Sequence, residues 1–348
     1  MKNTIIILLL LFSVSCIKPV QFNPGGRPVS DDKKNEVYIV NSLAETISVI
    51  DTSALKIKND ILETGLWPNY ISIRNNTGYI VNSGDNSIQI FDEDTLTTVR
   101  NINLGANSNP WSLSFYGLTD TGFIPNFVAG NIAVVNLNTG AVLKRISVGT
   151  GPEGAVVCNG KLYVANTSWN YETYSYGQGT VAVIDLNSYK VVKIINTDKN
   201  PQCIIGFDSI NEIHVICTGN NGGADSDDGK IDIIDTSNDT IKQVLDIGGS
   251  PGGFAVDYSF NKVYLCGVGG IQVYNYLTRD ILHSSTNYLA VGNSNDFFSG
   301  LTIDTVNNRI FATIFNSDKI FVLDRFSNKK ITELDSSDGP INPCFYGE

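Results

Sequence analysis

The sequence predicts an all-β fold, a seven-bladed β-propeller, and three observations lead to this prediction. A short apolar segment that ends in Asp or Asn recurs seven times along the 348 residues. A second apolar segment precedes each copy, and a turn that usually contains proline precedes most of these pairs. No helical period competes with the repeats. Each unit therefore holds about four strands in roughly 40 to 50 residues, which is the size of one propeller blade.

The segment that ends in Asp or Asn is the clearest of the three landmarks. Successive copies start 41, 44, 49, 50, 40 and 49 residues apart, and β-branched residues, which favour strands, are frequent in them. They occupy residues 47–51, 88–92, 132–136, 181–185, 231–235, 271–275 and 320–324. Seven copies predict seven blades and fit poorly with six or eight.

The other two landmarks predict the two strands that come before. The second strands are expected at residues 37–41, 78–82, 122–126, 162–166, 213–217, 263–267 and 310–314. The turns into the first strands contain Pro68, Pro110, Pro152, Pro201, Pro251 and Pro340. One unit has no proline at this place, and we expect its first strand to begin near Phe298 and Ser299.

These repeats resemble a known family. The second strands read Tyr-Ile-Val-Asn at residues 79–82 and Tyr-Val-Ala-Asn at residues 163–166, and residues 65–68 form a Gly-x-x-Pro turn. This combination resembles the YVTN-type β-propeller repeat of bacterial exported proteins and covers roughly residues 37–346. The resemblance implies the propeller fold but no function, because propellers serve in binding, scaffolding and catalysis alike.

The two ends of the repeat complement each other. The first unit begins at Val37 with no first strand ahead of it, whereas the segment after Gly339 looks like a first strand without partners. We therefore predict that the C-terminal strand closes the first blade. Closure of this kind covers sheet edges that would otherwise invite aggregation.

Residues 1–15 have the features of an export signal peptide. Lys2 precedes an apolar run that is too short to span a bilayer, and small residues precede Cys16. Residues 13–16 resemble the bacterial lipobox, which implies that Cys16 carries a lipid and becomes the mature N-terminus. An ordinary secretory signal with an incidental cysteine is the alternative. We expect a lipoprotein, periplasmic or at the cell surface, that meets the membrane through its lipid anchor only, with a lipidated flexible tether over residues 16–36 and the propeller over residues 37–348.

One face of the propeller is predicted to carry the binding site, and we call it the proline face. In a four-stranded antiparallel blade, the turn into the first strand and the loop between the second and third strands lie at the same end. All three tryptophans belong to such loops, and a Tyr-rich stretch follows one of them. The candidate ligand-binding residues are Trp67, Trp111, Trp169, Tyr171, Tyr174 and Tyr176. Exposed aromatic loops indicate binding, although packing between blades is an equal alternative for the first two.

Two further groups of residues allow competing interpretations. Asp225, Asp227 and Asp228 offer oxygen ligands to calcium, but they lack the EF-hand spacing, so we prefer a solvated acidic loop. Cysteines beyond the signal fit no metal pattern, and we interpret them as buried small hydrophobic residues. One alternative is a disulfide between Cys203 and Cys217, if they face each other across a hairpin in an oxidising compartment.

Composition and motifs narrow the function without identifying it. A formal net charge of −11 without a Lys/Arg stripe argues against a nucleic-acid partner. His214 and His283 lack a neighbouring nucleophile pattern, and no phosphate-binding loop, haem or zinc motif is present, so we predict no catalytic residue, metal or cofactor. We favour a binding module whose partner is an envelope protein, a peptide or a glycan. The alternatives are an envelope scaffold and an enzyme of the lactonase or quinoprotein kind, which requires a ring of carboxylates at the channel mouth.

Overall fold

The computed structural model describes residues 34–220, 228–289, 292–293 and 295–347. In these residues seven four-stranded antiparallel sheets form a ring, with 59% of the chain in strands and 2% in helices. The prediction of an all-β, seven-bladed β-propeller is confirmed. No helix in the described part of the chain is long and apolar enough to cross a membrane.

The first four blades hold the strands β1 to β17. Blade 1 contains β1 (Glu36–Asn41), β2 (Thr46–Asp51), β3 (Lys56–Glu63) and the last strand of the chain, β30 (Pro340–Tyr346). Blade 2 contains β4 (Pro68–Arg74), β5 (Thr77–Asn82), β6 (Ser87–Asp92) and β7 (Thr97–Asn103). Blade 3 contains β8 (Ser114–Phe115), β9 (Thr121–Asn126), β10 (Asn131–Asn136) and β11 (Ala141–Ser147). Blade 4 contains β12 (Pro152–Cys158), β13 (Lys161–Asn166), β16 (Thr180–Asp185) and β17 (Lys190–Asn196), while β14 (Trp169–Asn170) and β15 (Ser175–Tyr176) form a separate two-stranded sheet.

The remaining blades complete the ring. Blade 5 contains β18 (Pro201–Phe207), β19 (Glu212–Cys217), β20 (Lys230–Asp235) and β21 (Thr240–Asp246). Blade 6 contains β22 (Gly253–Asp257), β23 (Lys262–Gly267), β24 (Gly270–Asn275) and β25 (Ile281–His283). Blade 7 contains β26 (Phe298–Asp304), β27 (Arg309–Ile314), β28 (Lys319–Asp324) and β29 (Lys330–Asp335). As predicted, β26 starts at Phe298 without a proline.

The C-terminal strand closes the ring as predicted. Strand β30 pairs antiparallel with β1, which places Tyr346 opposite Glu36 and Phe345 opposite Val37. It also packs against β4 and β26, the first strands of the two neighbouring blades. Blade 1 therefore depends on both ends of the repeat.

The Asp or Asn that ends each third strand also builds the turn that follows. Asp92 Oδ1 accepts a hydrogen bond from the Thr95 N–H at 2.8 Å, and Asp185 does the same with the Ser188 N–H at 2.8 Å. The fourth residue after the Asp, Leu96 or Tyr189, has a φ of 53° in both turns and directs the chain into the fourth strand. Short Asx side chains favour such turns because they bond the backbone two or three residues ahead. The repeat found in the sequence is thus a turn signal as well as a strand signal.

The aromatic residue of several second strands ties adjacent blades together on the face opposite the proline face, which we call the far face. The Tyr38 hydroxyl donates a hydrogen bond to Glu93 of blade 2 at 2.8 Å. The Tyr163 hydroxyl donates to Asp239 of blade 5 at 2.6 Å. These groups are buried, so each bond gives a partner to one oxygen of a carboxylate that is costly to bury.

The alternative of a disulfide between Cys203 and Cys217 is wrong, and the preferred interpretation of both as unpaired cysteines is confirmed. A turn at Asp208–Ile210 does join β18 to β19, but a bulge shifts the register so that Cys203 lies opposite Ile216. Both residues are free thiols. Cys203 Sγ lies 3.2 Å from the carbonyl oxygen of Gly252 in blade 6, whereas Cys217 Sγ lies 3.9 Å from an Asp232 carboxylate oxygen. The two thiols therefore contact different residues and not each other.

Candidate functional site

The proline turns and the loops between second and third strands do lie on one face. In blade 2 the Ser83 N–H donates to the Trp67 carbonyl at 3.1 Å, and in blade 4 the Thr167 N–H donates to the Gly151 carbonyl at 2.9 Å. Backbone hydrogen bonds of this kind hold each long loop against the turn beside it. The loops of the proline face are therefore ordered by the blade itself.

The long loop of blade 4 is an ordered hairpin rather than an open loop. Strands β14 and β15 pair Trp169 with Tyr176 and Asn170 with Ser175. Asn170 Oδ1 accepts hydrogen bonds from the N–H groups of Glu172 at 2.8 Å and Thr173 at 3.2 Å, which forms the turn. The hairpin is thereby preorganised before any ligand binds.

Six aromatic side chains of blades 3 and 4 form one continuous group on the proline face, the aromatic cluster. Its members are Trp111, Phe127, Trp169, Tyr171, Tyr174 and Tyr176. The ring centroids are 5.5 Å apart for Trp111–Phe127, 6.3 Å for Phe127–Tyr171, Trp169–Tyr171 and Trp169–Tyr174, and 4.8 Å for Trp169–Tyr176. The rings meet at tilted or edge-to-face angles, which are the favourable arrangements for aromatic pairs.

The cluster remains open to solvent although its rings support each other. Tyr174 is 78% exposed and Tyr171 is 54% exposed, while the other four rings are partly buried. Trp111 is held in place by its Nε1–H, which donates to Asn109 Oδ1 at 3.0 Å. Trp111 therefore both packs and faces the cluster, so the two alternatives weighed for it do not exclude each other.

The structure brings together five of the six residues that the sequence singled out and separates the sixth. Trp67 lies in the proline turn of blade 2, is 62% exposed, and makes no ring contact with the aromatic cluster in the described residues. The sequence reasoning missed Phe127, which follows Asn126 at the end of β9. Its signal was available, because Phe127 is an aromatic residue in the same kind of loop as Trp169.

A buried carboxyl group lies beside the aromatic cluster, close to the central axis. Glu153 follows Pro152 at the start of β12, is 6% exposed, and its carbonyl oxygen accepts a hydrogen bond from Ser112 Oγ at 2.6 Å. Its carboxyl receives no hydrogen bond or ion pair from the described residues. Burial raises the pKa of Glu153 well above its usual range. Burial, and then the charge of Glu153, raise the pKa of Tyr171 and Tyr176, so the carboxyl is within electrostatic reach of both rings.

Glu153 is unusual among the residues at its level of the ring. The equivalent positions, which follow the turn proline or Phe298, are Asn69, Trp111, Glu153, Gln202, Gly252, Ser299 and Ile341. The polar ones have partners: Gln202 Oε1 accepts from Thr218 Oγ1 at 2.8 Å, and Ser299 Oγ donates to the Pro340 carbonyl at 2.7 Å. Glu153 is the single carboxylate of the set, so these positions form no ring of carboxylates.

A second buried carboxyl near the proline face belongs to blade 5. Asp232 Oδ2 accepts a hydrogen bond from the Asp198 N–H at 2.7 Å, whereas Asp232 Oδ1 has no partner. Burial, reinforced by the nearby Asp198 carboxylate, raises the pKa of Asp232 to about 7. This group is therefore close to its midpoint of ionisation at neutral pH.

Several predicted residues fall outside the part of the chain that the structure describes. Cys16, Asp225 and Asp227 belong to this group. Asp228 is described, and its carboxylate accepts the Asn220 N–H at 3.0 Å. Across the described ranges, no group of three or more His, Cys, Asp or Glu side chains is placed to hold a metal ion.

A groove of about 410 Å³ lies on the far face between blades 2 and 3. Arg74, Phe115 and Asp120 contribute to its walls, and the Arg74 guanidinium lies 5.1 Å from the centre of the Phe115 ring. None of the residues predicted from the sequence lines this groove. It is therefore separate from the aromatic cluster.

Comparisons with known proteins support the fold. No family model matches the chain, and no curated protein matches it. A solved structure of hydrazine synthase from Kuenenia stuttgartiensis is similar with a TM-score of 0.63 and 14% identity, over 78% of this chain and 87% of that chain. At this identity the likeness shows the architecture alone: this chain is a seven-bladed β-propeller.

Proposed function

We propose that this chain is an exported, lipid-anchored binding protein that holds a peptide or a glycan, free or on an envelope protein, against the aromatic cluster. The observation that carries the proposal is the continuous contact of six rings on an ordered hairpin, with two tyrosines more than half exposed. Trp and Tyr provide large contact areas with polar edges and dominate binding hot spots. A preorganised hairpin also lowers the entropy cost of binding.

The enzyme alternative has less support from the same face. A lactonase-like or quinoprotein-like centre was expected to draw carboxylates from several blades, and Glu153 is the single carboxylate among the residues that follow the turn prolines. A wall of Trp and Tyr is the arrangement that we expected of a binding protein. We also assign the repeats to the YVTN type on their Tyr-x-x-Asn second strands.

The proposed anchor at Cys16 can be tested by substitution. A Cys16→Ala variant is expected to lose membrane association in fractionation, and a Cys203→Ala control is expected to keep it. Persistent membrane association of the Cys16 variant would contradict the anchor.

The binding proposal is tested by a screen followed by a triple substitution. The purified full chain is screened against peptide and glycan arrays, and the ligand found is titrated against the parent and a Trp169→Ala/Tyr171→Ala/Tyr174→Ala variant. We expect a loss of about 2 kcal/mol or more, roughly 30-fold in affinity, because at least one of these rings should be a hot spot.

A matched control is available on the same face. Trp67→Ala removes an exposed tryptophan outside the aromatic cluster, and it should leave the affinity unchanged. Thermal unfolding of all variants checks that each is folded. Equal affinity of parent and triple variant would remove the hairpin from the binding site.

A further inference from the structure

Glu153 is the buried group near the aromatic cluster that no contact inside the protein explains. It is 6% exposed, and the described residues place neither a cation nor a hydrogen-bond donor at its carboxyl. Burial is the one cause that raises its pKa. Buried carboxyls in proteins are normally paired, because an isolated charge is costly in a low-dielectric environment. The missing partner is therefore to be sought in a ligand.

The surroundings of Glu153 restrict what this partner can be. The Glu153 carbonyl oxygen accepts a hydrogen bond from Ser112 Oγ at 2.6 Å, which places Glu153 beside the segment that carries Trp111. The hydroxyls of Tyr171 and Tyr176 and the thiol of Cys203 are close enough for the Glu153 charge to raise their pKa. Burial raises the pKa of Cys203 to about 12, so this thiol stays neutral near pH 7. The surroundings of Glu153 thus combine a carboxyl group with neighbouring aromatic rings.

Carboxylate and aromatic groups together suit an organic cation. Ring faces attract ammonium groups, and a carboxylate close to the rings supplies the opposite charge. A negative charge beside aromatic rings therefore favours a cationic side chain over a neutral sugar.

We propose that Glu153 binds the primary ammonium group of a lysine side chain, whose apolar stem passes along the aromatic cluster. The inference deepens the proposed function, since it rests on the same face and names the class of ligand as a lysine-containing peptide. Burial raises the pKa of Glu153, and an ammonium partner favours the carboxylate form, so binding of the ligand should lower this pKa and release protons to solvent.

The test uses two end-blocked tripeptides, Gly-Lys-Gly and Gly-norleucine-Gly, which differ in the ammonium group. Calorimetric titrations of the full chain are run in buffers of different ionisation heats, with the parent, Glu153→Gln and Glu172→Gln. Glu172 is the matched control, because it is an exposed glutamate of the same hairpin. We expect the parent and the Glu172 variant to bind the lysine peptide at least tenfold more tightly than the norleucine peptide. Glu153→Gln should lose this preference. Binding of the lysine peptide should release more protons from the parent than from Glu153→Gln, as the buffer dependence of the heat will show.

Each result decides between the inference and the proposed function. Equal affinity for both tripeptides, no binding of the lysine peptide, or an unchanged preference in Glu153→Gln would overturn the role of Glu153. If the affinity for the lysine peptide depends on Glu153 but not on Trp169, Tyr171 and Tyr174, the Glu153 site is supported and the aromatic cluster is excluded from it. If the affinity for a ligand from the arrays depends on those rings but not on Glu153, the proposed function is supported and the inference about Glu153 is contradicted. Glu153→Gln is nearly isosteric and removes a buried ionisable group, so a melting temperature equal to or above that of the parent is expected.

Discussion

Two buried glutamates, one near each face of the ring, have opposite environments. On the far face Glu212 is 2% exposed. Its carboxylate oxygens lie 2.9 Å from Lys242 Nζ and 3.2 Å from His214 Nε2, and they also pair with the Arg279 guanidinium. Burial acts to raise its pKa, but the hydrogen bonds from His214 and Lys242 and the charge of Arg279 outweigh burial and lower the pKa to about 2. Near the proline face Glu153 has no such donors, and burial alone raises its pKa. The same residue type is thus fully paired on one face and unpaired on the other.

Other buried polar groups follow this division in part. On the far face Arg325 binds Asp257 of the neighbouring blade through two hydrogen bonds of 2.6 Å. Among the described residues, buried side-chain atoms without a partner belong to five residues near the proline face and to three on the far face. Those near the proline face are Asn82, Asn126, Asn166, Asn200 and Asp232, and those on the far face are Asn35, Glu93 and Arg279. Unsatisfied groups of the kind found at binding sites are thus more frequent near the proline face.

The largest effect is expected from the far face. Asp257→Ala leaves the buried Arg325 without its carboxylate, and we expect a loss of about 3 to 5 kcal/mol in the free energy of unfolding, measured with denaturant. The control is Asp246→Ala, which breaks an exposed 3.2 Å pair with Lys230 and should cost about 0 to 1 kcal/mol. Similar small losses for both variants would remove the distinction between the faces.

A smaller, pH-dependent effect of opposite sign is expected from Asp232→Asn. Because the pKa of Asp232 is raised to about 7 in the folded protein, the folded state binds a proton that the unfolded chain has lost above about pH 4. The stability of the parent should therefore fall as the pH rises from about 4 to 7 and stay low above that range. Asp232→Asn should raise the melting temperature at pH 8 and leave it nearly unchanged at pH 4. A melting temperature at pH 8 that is equal to or below that of the parent would contradict the unsatisfied state of Asp232.

The smallest effect on stability is expected at the aromatic cluster. Tyr174 is 78% exposed, so Tyr174→Ala should change the free energy of unfolding by no more than about 0.5 kcal/mol. Urea unfolding of parent and variant provides the measurement. A loss comparable to that of Asp257→Ala would mean that the hairpin holds the fold together and is not a free binding surface.

The fold could be predicted from the sequence because its signals are local and repeated. The Asp or Asn at the end of each third strand builds its own turn, so seven such turns indicate seven blades. Closure could be predicted because the missing first strand at Val37 and the extra strand after Gly339 are each recognisable from their own residues. These signals depend on neighbouring residues alone.

The site was harder to predict because its parts come from different loops. The two-residue strands β14 and β15 have too few residues to show a period, so the ordered hairpin was not predicted. Ring contacts between blades, such as that of Phe127 with Tyr171, depend on how the loops fold. Glu153 had a signal that was overlooked, since it is the single charged residue among those that follow the turn prolines.

Closure by β30 also determines how the ring would respond to a mechanical load. Strand β1 lies between β2 and β30 and is hydrogen-bonded on both sides, although it is the first strand of the described chain. A pull on the residues before Lys34, along the direction of β1, would have to shear two ladders at once, whereas an edge strand can be peeled away one bond at a time. A tether attached there would load a strand that is hydrogen-bonded on both sides, so the resistance of blade 1 to tension would depend on closure by the C-terminal strand.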